Sequence, residues 1–489
     1  MNSRKNRQAQ IAVEMLFLAA LVVILISGFV SLAASFLQLS VRSQNQLQAF
    51  SIAEAGIDYY RWHLSYAPFD YTDGTGKPGP YVHPYYDNQG NEIGEFSLTV
   101  SPPSGNGSEV VVESTGKVFA DDSITRIIRV SLAPNTLMQF NLVQNADLQV
   151  GSTTTLYGPV MANGGIDFSG YAYDLVESAQ TTFVNHFESG NKTDWGVFTP
   201  VSPQDPYPPT PYASRPDIFG GGRAIGVPAA DFGGLSQVLA NLQASAQDGG
   251  VYASSSKAYG FDLAFSTSTT ATTTVTKYQL YKVTSLAAPP NGCTNESNQP
   301  GWGSWSIKNE TLIASGTVPA NGAFFFNDNV WVRGQIANAR VNVGSAVFPD
   351  SAATWTNITV NNSLRYANFN GADSILLIAQ NNINVGLMSD DTLVIDGGLI
   401  AEHGRVGRFY YKTPNSGGNS GKCAPYADRT SITTYGSIVS NAAYGFGYAD
   451  GTGYEDRQLF YDVNLYNNPP SILSAAFHGF NVISWEEVK

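Results

Sequence analysis

At 489 residues the chain is long enough for two or three domains, and only 13% of it is charged, against 48 Gly, 26 Tyr and 26 Phe. Low charge with tracts of Gly, Asn, Ser and Thr fits an exported, β-rich protein with many tight turns better than a cytoplasmic enzyme. A net charge of −13 argues against nucleic acid as a partner, because a phosphate-binding surface needs clustered Lys and Arg.

The first predicted element is a helix built on Met15 to Leu37, an uncharged apolar run of 23 residues that is long enough to cross a bilayer. Arg4, Lys5 and Arg7 precede it and no charge follows until Arg42, which predicts a cytoplasmic N-terminus and an exported remainder. Glu14 stands at the mouth of the run, where an unpartnered carboxylate costs several kcal/mol, so it is a functional residue by default. A cleaved secretory signal has a site at Ser31 to Ala33, but its apolar core is normally only about 7–15 residues. A plain signal anchor accounts for the length and leaves Glu14 without a role.

The heptapeptide Gln8 to Glu14 (QAQIAVE) resembles the leader signature of type IV prepilins. That resemblance implies a basic leader, residues 1–9, removed between Ala9 and Gln10 by a prepilin peptidase, which makes Glu14 the fifth mature residue. Bacterial members more often carry Gly before the cut and Phe after it, so Ala9 and Gln10 depart from the commonest pattern. The family's logic implies that Glu14 pairs in the membrane with the freed α-amine of Gln10, its own or a neighbour's, and so sets the register of filament assembly. Other pilin subunits and the pilus assembly platform are the implied partners.

The helix is expected to run on to residue 64, giving a transmembrane and filament helix over 10–64. Leu47, Phe50, Ala53, Ile57, Tyr60 and Leu64 form an apolar stripe at three- and four-residue spacing, with Glu54, Asp58 and Arg61 elsewhere. Ala53 to Ile57 (AEAGI) resembles a segment of large PilX-like minor pilins. Residues 65–93 read as an irregular loop in which Asp70 and Asp73, near Gly74, are turn residues in preference to a cation site. Three strand-like runs follow, Glu95 to Ser101, Glu109 to Ala120 and Ile124 to Ala133. They predict an antiparallel, pilin-like meander over 65–135.

Beyond it the chain repeats. Met161–Ile166 (MANGGI) aligns with Ile336–Val341 (IANARV), Ile378–Ile383 (IAQNNI), Ile400–Val406 (IAEHGRV) and Val439–Tyr444 (VSNAAY). The last four start 42, 22 and 39 residues apart, consistent with a unit of about 20 residues and hence a parallel β-helix or similar solenoid. Asn at the corners is expected to stack from coil to coil, and Gly397-Gly398 to bend one buried coil. A β-sandwich with similar strands is the competing architecture. The expected layout is a first solenoid segment at 136–170, an inserted α+β region at 171–320, and solenoid continuation with a C-terminal tail at 321–489. Within the insert, Leu235 to Gln247 carries helical spacing, and Tyr259 to Phe265 pairs with Tyr278 to Val283.

Cys293 and Cys423 are consistent with one disulfide in an oxidising compartment, or with two free thiols. His63, His83, His186, His403 and His478 show no paired spacing that suggests zinc, so no metal and no cofactor are expected. Asp390, Asp391 and Asp396 are the acids a carbohydrate-active β-helix would use, although acids beside Gly usually serve turns. The class the residues predict is mainly β with one long N-terminal helix. The expected function is a non-catalytic pilin-like subunit at or near a filament tip, embedded in the membrane before assembly and then on the cell surface. Its large head would serve surface contact or adhesion, with a surface glycan or protein as its ligand class. The alternative is a membrane-anchored, extracellular carbohydrate-active β-helix enzyme.

Overall fold

The computed structural model describes residues 2–269, 274–290, 293, 305–411, 423, 425–448, 450–475 and 479–488, with side chains described from residue 10 onward. The architecture is mainly β, with a long N-terminal helix, an antiparallel sheet and a large parallel sheet. Two compact units divide the chain: residues 1–102, 110–132 and 482–489 form the first, and residues 103–109 and 133–481 the second.

In the first unit, helix α1 (Asn2–Tyr66) lays its last turns on an antiparallel sheet of β1 (Tyr81–Tyr86), β2 (Glu92–Ser101), β3 (Val110–Val118) and β4 (Thr125–Pro134). The face of α1 turned to the sheet is Ala49, Ile52, Ala53, Ile57, Tyr60 and Leu64, all buried. Leu47, expected on that stripe, is 68% exposed, and Ala49 and Ile52 take the inward positions instead. Small residues make the close approach possible. A Cβ on Gly116 of β3 would lie 2.1 Å from the Ala49 carbonyl oxygen, and one on Gly56 would lie 2.3 Å from Ser114 Oγ. The AEAG run is thus explained by packing: Ala53 and Gly56 face the sheet and Glu54 faces solvent.

Two corrections belong to this unit. Part of the expected loop over 65–93 is β1, an edge strand paired with β2, where Pro84 is tolerated because one side of the strand needs no partner. The tail expected at the end of 321–489 closes as a strand, Phe480–Val488, beside β4, with Arg126 and Arg129 paired to Glu487 and Glu486 at 2.7 and 3.0 Å.

The second unit is a three-faced parallel β-solenoid. On one face, Tyr252, Phe325, Gly344, Ile378, Ile400, Val439, Val143, Met161 and Glu177 stand in register on successive strands. Four of the five sequence copies, those starting at 161, 378, 400 and 439, therefore share one column. The fifth does not: Ile336 lies on a different face, opposite Tyr366, since its apolar-Ala-Asn triplet falls at another corner of the coil. Strands in the middle of the shared face are buried on both sides, as the run Ser374–Ala379 (SILLIA) shows. Leu377 and Ile375 point into the solenoid core, whereas Leu376 and Ile378 pack outward under α2 (Leu235–Gln247) through Leu235, Val238, Leu239 and Leu242.

Stack order differs from chain order. The strand Leu142–Gln144 is laid between Asp428–Ser440 on one side and Val160–Ala162 on the other. From there the chain builds outward through Val176–Ser178 to Arg223–Ile225, then crosses alongside the stack by way of α2. It restarts at Val251–Ala253 at the far end and returns coil by coil to the first strand it laid. The stretch 171–320 therefore contains α2 and an antiparallel extension (Gly260–Thr269, Thr274–Leu286, Ile307–Thr317), but also coil strands. Those coil strands are two or three residues long, too short to show an apolar period.

Two asparagine ladders bind the corners. Asn357 Nδ2 donates to Asn329 Oδ1 at 3.0 Å and Asn382 Nδ2 to Asn357 Oδ1 at 3.2 Å. Asn163 Nδ2 donates to Asn145 Oδ1 at 2.7 Å, and Asn145 Nδ2 to Asn441 Oδ1 at 2.8 Å, which ties the returning coil to the first. Gly397, at φ 140°, bends the long strand Thr392–Ala401 around a corner without interrupting its ladder to Asp428–Ser440.

Candidate functional site: the unpacked N-terminal helix

Every residue from Gln10 to Gln44 is exposed, although this part of α1 carries the most apolar sequence in the chain. At 1.5 Å per residue those turns extend about 52 Å, and Met15 to Leu37 alone about 34 Å, close to the roughly 30 Å hydrocarbon core of a bilayer. Apolar side chains cover all sides; Val13, Met15, Leu16, Phe17, Ile24 and Phe29 are each more than 60% exposed. A helix apolar all round belongs in lipid or inside a bundle. Its polar residues are reconciled with such surroundings locally. Ser27 Oγ donates to the Val23 carbonyl at 2.8 Å and Ser35 Oγ to the Ser31 carbonyl at 3.0 Å, so neither hydroxyl needs water.

Glu14 lies on this helix one turn after Gln10, so the two residues named from the sequence share one face. Around Glu14 on the helical surface are Gln10, Ile11, Phe17 and Leu18, and no basic side chain is at the three- or four-residue positions. The backbone at residue 9 is helical as well, while the Ala9 side chain lies outside the described residues.

The other residues singled out fall at separate places. At the end of α1, Asp70 accepts from Thr72 N at 2.9 Å, Thr72 Oγ1 at 2.7 Å, Gly74 N at 2.7 Å and His63 Nε2 at 3.1 Å. Those donors, the Thr72 hydroxyl first, bring its carboxyl down to about 2. Asp73 accepts from Tyr59 Oη at 3.0 Å and pairs with His83 at 2.7 Å. The loop is thus a cross-linked turn.

In the solenoid, Asp390 accepts from Asn362 Nδ2 at 2.9 Å and Ser363 N at 3.0 Å, and Asp391 accepts from Thr430 Oγ1 at 2.5 Å. Asp396 is buried and accepts from Tyr366 N at 2.8 Å; burial pushes its carboxyl up to about 6. Each acid secures a neighbouring coil. Cys293 and Cys423 form a disulfide with a Cα–Cα separation of 4.7 Å, packed with Trp305, Trp331, Phe409 and Tyr411. The glycine-rich loop before Cys423 and His478 lie outside the described residues. His186 is exposed, and His403 stands beside Asp350 and Glu402, a grouping hidden from sequence by 52 intervening residues between Asp350 and His403.

No protein-family model matches the sequence, and no curated protein matches it. Among solved structures, the competence-associated pilin ComZ from Thermus thermophilus is similar over 91% of this chain and 97% of that one, at 13% identity and a TM-score of 0.31.

Proposed function

We propose that this chain is a non-catalytic, pilin-like subunit of a type IV pilus or related filament. One observation carries the reading: a single helix joins an apolar stem, unpacked over Gln10–Gln44, to a stretch docked on an antiparallel sheet. An unpacked stem of this kind needs lipid before assembly and the stems of neighbouring subunits afterwards. Glu14, with no basic residue three or four positions away on its helix, then takes the free amine of Gln10 created by the prepilin peptidase, on its own or an adjacent stem. The size of the second unit suits a minor subunit at or near the tip, where its bulk would not be repeated along a shaft. Its β-solenoid supplies the surface for contact with a glycan or protein. The membrane-anchored enzyme gains no comparable support, since Asp390, Asp391 and Asp396 are each occupied with backbone or side-chain donors of adjacent coils.

The test is co-expression with a complete type IV pilus assembly system, followed by shearing and mass spectrometry of the filament fraction. The expected result is the chain in filaments at low abundance relative to the major subunit. Finding it only in the membrane fraction, with filaments present and free of it, would contradict the proposal.

A further inference from the structure

Asp350, Glu402 and His403 are brought together by the solenoid from a long corner loop (346–357) and from the corner that follows the strand Thr392–Ala401. His403 Nε2 lies 3.0 Å from Asp350 Oδ2 and 3.6 Å from Glu402 Oε1, and the three ligand atoms lie within 4.8 Å of one another. Each side chain is fixed from outside the cluster. The Trp355 indole N–H and the Gln380 amide donate to Asp350 Oδ1 at 2.7 and 3.0 Å, leaving Oδ2 turned toward His403. Gln380 is itself clamped, accepting from Val347 N at 3.0 Å and donating to the Val347 carbonyl at 3.1 Å. The His403 ring lies flat on Trp355, with centroids 4.2 Å apart and planes 9° from parallel. Ser236, in the first turn of α2, donates its hydroxyl to Glu402 Oε1.

A bare ion pair accounts for His403 and Asp350 but not for Glu402. That carboxylate is only 6% exposed and holds the neutral Ser236 hydroxyl; among the described residues the one basic group within 4 Å is His403, at 3.6 Å, beyond a hydrogen bond. A buried acid so placed has no cation at hydrogen-bond distance among the described residues. Ligand spacing points to which cation supplies it. At metal–ligand distances of about 2.0–2.1 Å, tetrahedral donor atoms stand about 3.3 Å apart, between the two separations seen. Calcium binds at about 2.3–2.6 Å and takes six to eight oxygens, a poor match to one imidazole and two carboxylates. Outer donors such as those that orient Asp350 and Glu402 are the usual companions of a zinc-type centre.

We propose that Asp350, Glu402 and His403 bind a zinc-class divalent cation, with the fourth position open to water on the side where Asp350 and His403 are 37% and 27% exposed. Trp355, Gln380 and Ser236 are positioning residues. The site is independent of the filament reading, because it lies wholly within the solenoid unit.

The test uses the full-length protein in detergent, stripped with a chelator and titrated with Zn²⁺, then with Co²⁺. One equivalent of Zn²⁺ is expected, and Co²⁺ should give the intense visible absorption of a four-coordinate site. Asp350→Asn and His403→Gln should each weaken Zn²⁺ binding at least tenfold, and Trp355→Phe, which keeps the ring stack but loses the indole N–H, by about tenfold. His186→Gln, at an exposed residue away from the cluster, should change nothing. Absence of Zn²⁺ binding at micromolar concentration, or unchanged affinity in Asp350→Asn or His403→Gln, would overturn the proposal. Should either variant melt lower in chelator, the wild-type stoichiometry and Co²⁺ spectrum decide: a six-coordinate spectrum or no saturation counts against the site.

Discussion

Replacing Gly116 by Ala is the sharpest perturbation of the docking that turns α1 from a stem into a folded handle. The new Cβ would sit 2.1 Å from Ala49 O, 2.5 Å from Ala53 N and 3.1 Å from Ala53 Cα. These are backbone atoms of the helix, so no rotamer change relieves the clash, and α1 must rise by about 1 Å to reach ordinary contact. Ile52, Ile57, Tyr60 and Leu64 hang from that backbone and are buried against the same sheet, so lifting it loosens all of them. Overpacking costs about 1–3 kcal/mol when neighbours can adjust, and here the upper end, about 3 kcal/mol, is expected. At roughly 2–8 °C per kcal/mol, that is a drop in Tm on the order of 10 °C for the first unit. Gly28→Ala is the matched control: nothing lies within 4 Å of its added methyl, and helix propensity improves by about 1 kcal/mol. Thermal melting in detergent, with hydrogen exchange of residues 45–64 and 110–118, reads both variants. A Gly116→Ala protein that melts within 2 °C of wild type with unchanged exchange would refute the packing argument.

Further outcomes follow from the same geometry. Glu14→Gln should leave export and both folded units intact while depleting the chain from sheared filaments, because a buried amine loses its partner; normal abundance there would remove the role given to Glu14. Asp396→Asn keeps an acceptor for Tyr366 N and removes a charge that burial disfavours. The folded carboxyl titrates near 6 against an ordinary 3.8, so the native acid lowers stability as pH rises from about 4 to 6 and its full penalty is present above that. The variant should therefore be more stable at pH 7.5, by on the order of 1–3 kcal/mol, and show a flatter stability profile between pH 4 and 6; a lower Tm at pH 7.5 would contradict this. The Cys293–Cys423 bond closes a separation of 130 residues, and its loss should destabilise the solenoid unit by up to about 4–5 kcal/mol. Non-reducing peptide mapping of the exported protein that finds both thiols free would contradict it.

Local pattern made much of this fold legible. The apolar run, Glu14 and the AEAG packing face are written in consecutive residues, and the column through Ile378, Ile400 and Val439 is legible because coil length keeps one triplet at one corner. Ile336 misled for the same reason, as its triplet serves a different corner. Pro84 hid β1, since only the edge position makes a proline acceptable there. The order of the stack was not legible. Nothing near Leu142 marks it as the strand that Ile438 will later join, because that pairing is a long-range match of two apolar edges. His403 was illegible as part of a cluster for a similar reason: Asp350 reaches it only through the corner loop, and Ser236 reaches the adjoining Glu402 only through α2.

The central claim concerns processing at the start of the stem, and N-terminal sequencing of the chain co-expressed with a prepilin peptidase tests it most directly. The account predicts a mature protein that begins at Gln10, with Glu14 fifth. A chain that still begins at Met1, or one that begins after Ala33, would contradict it.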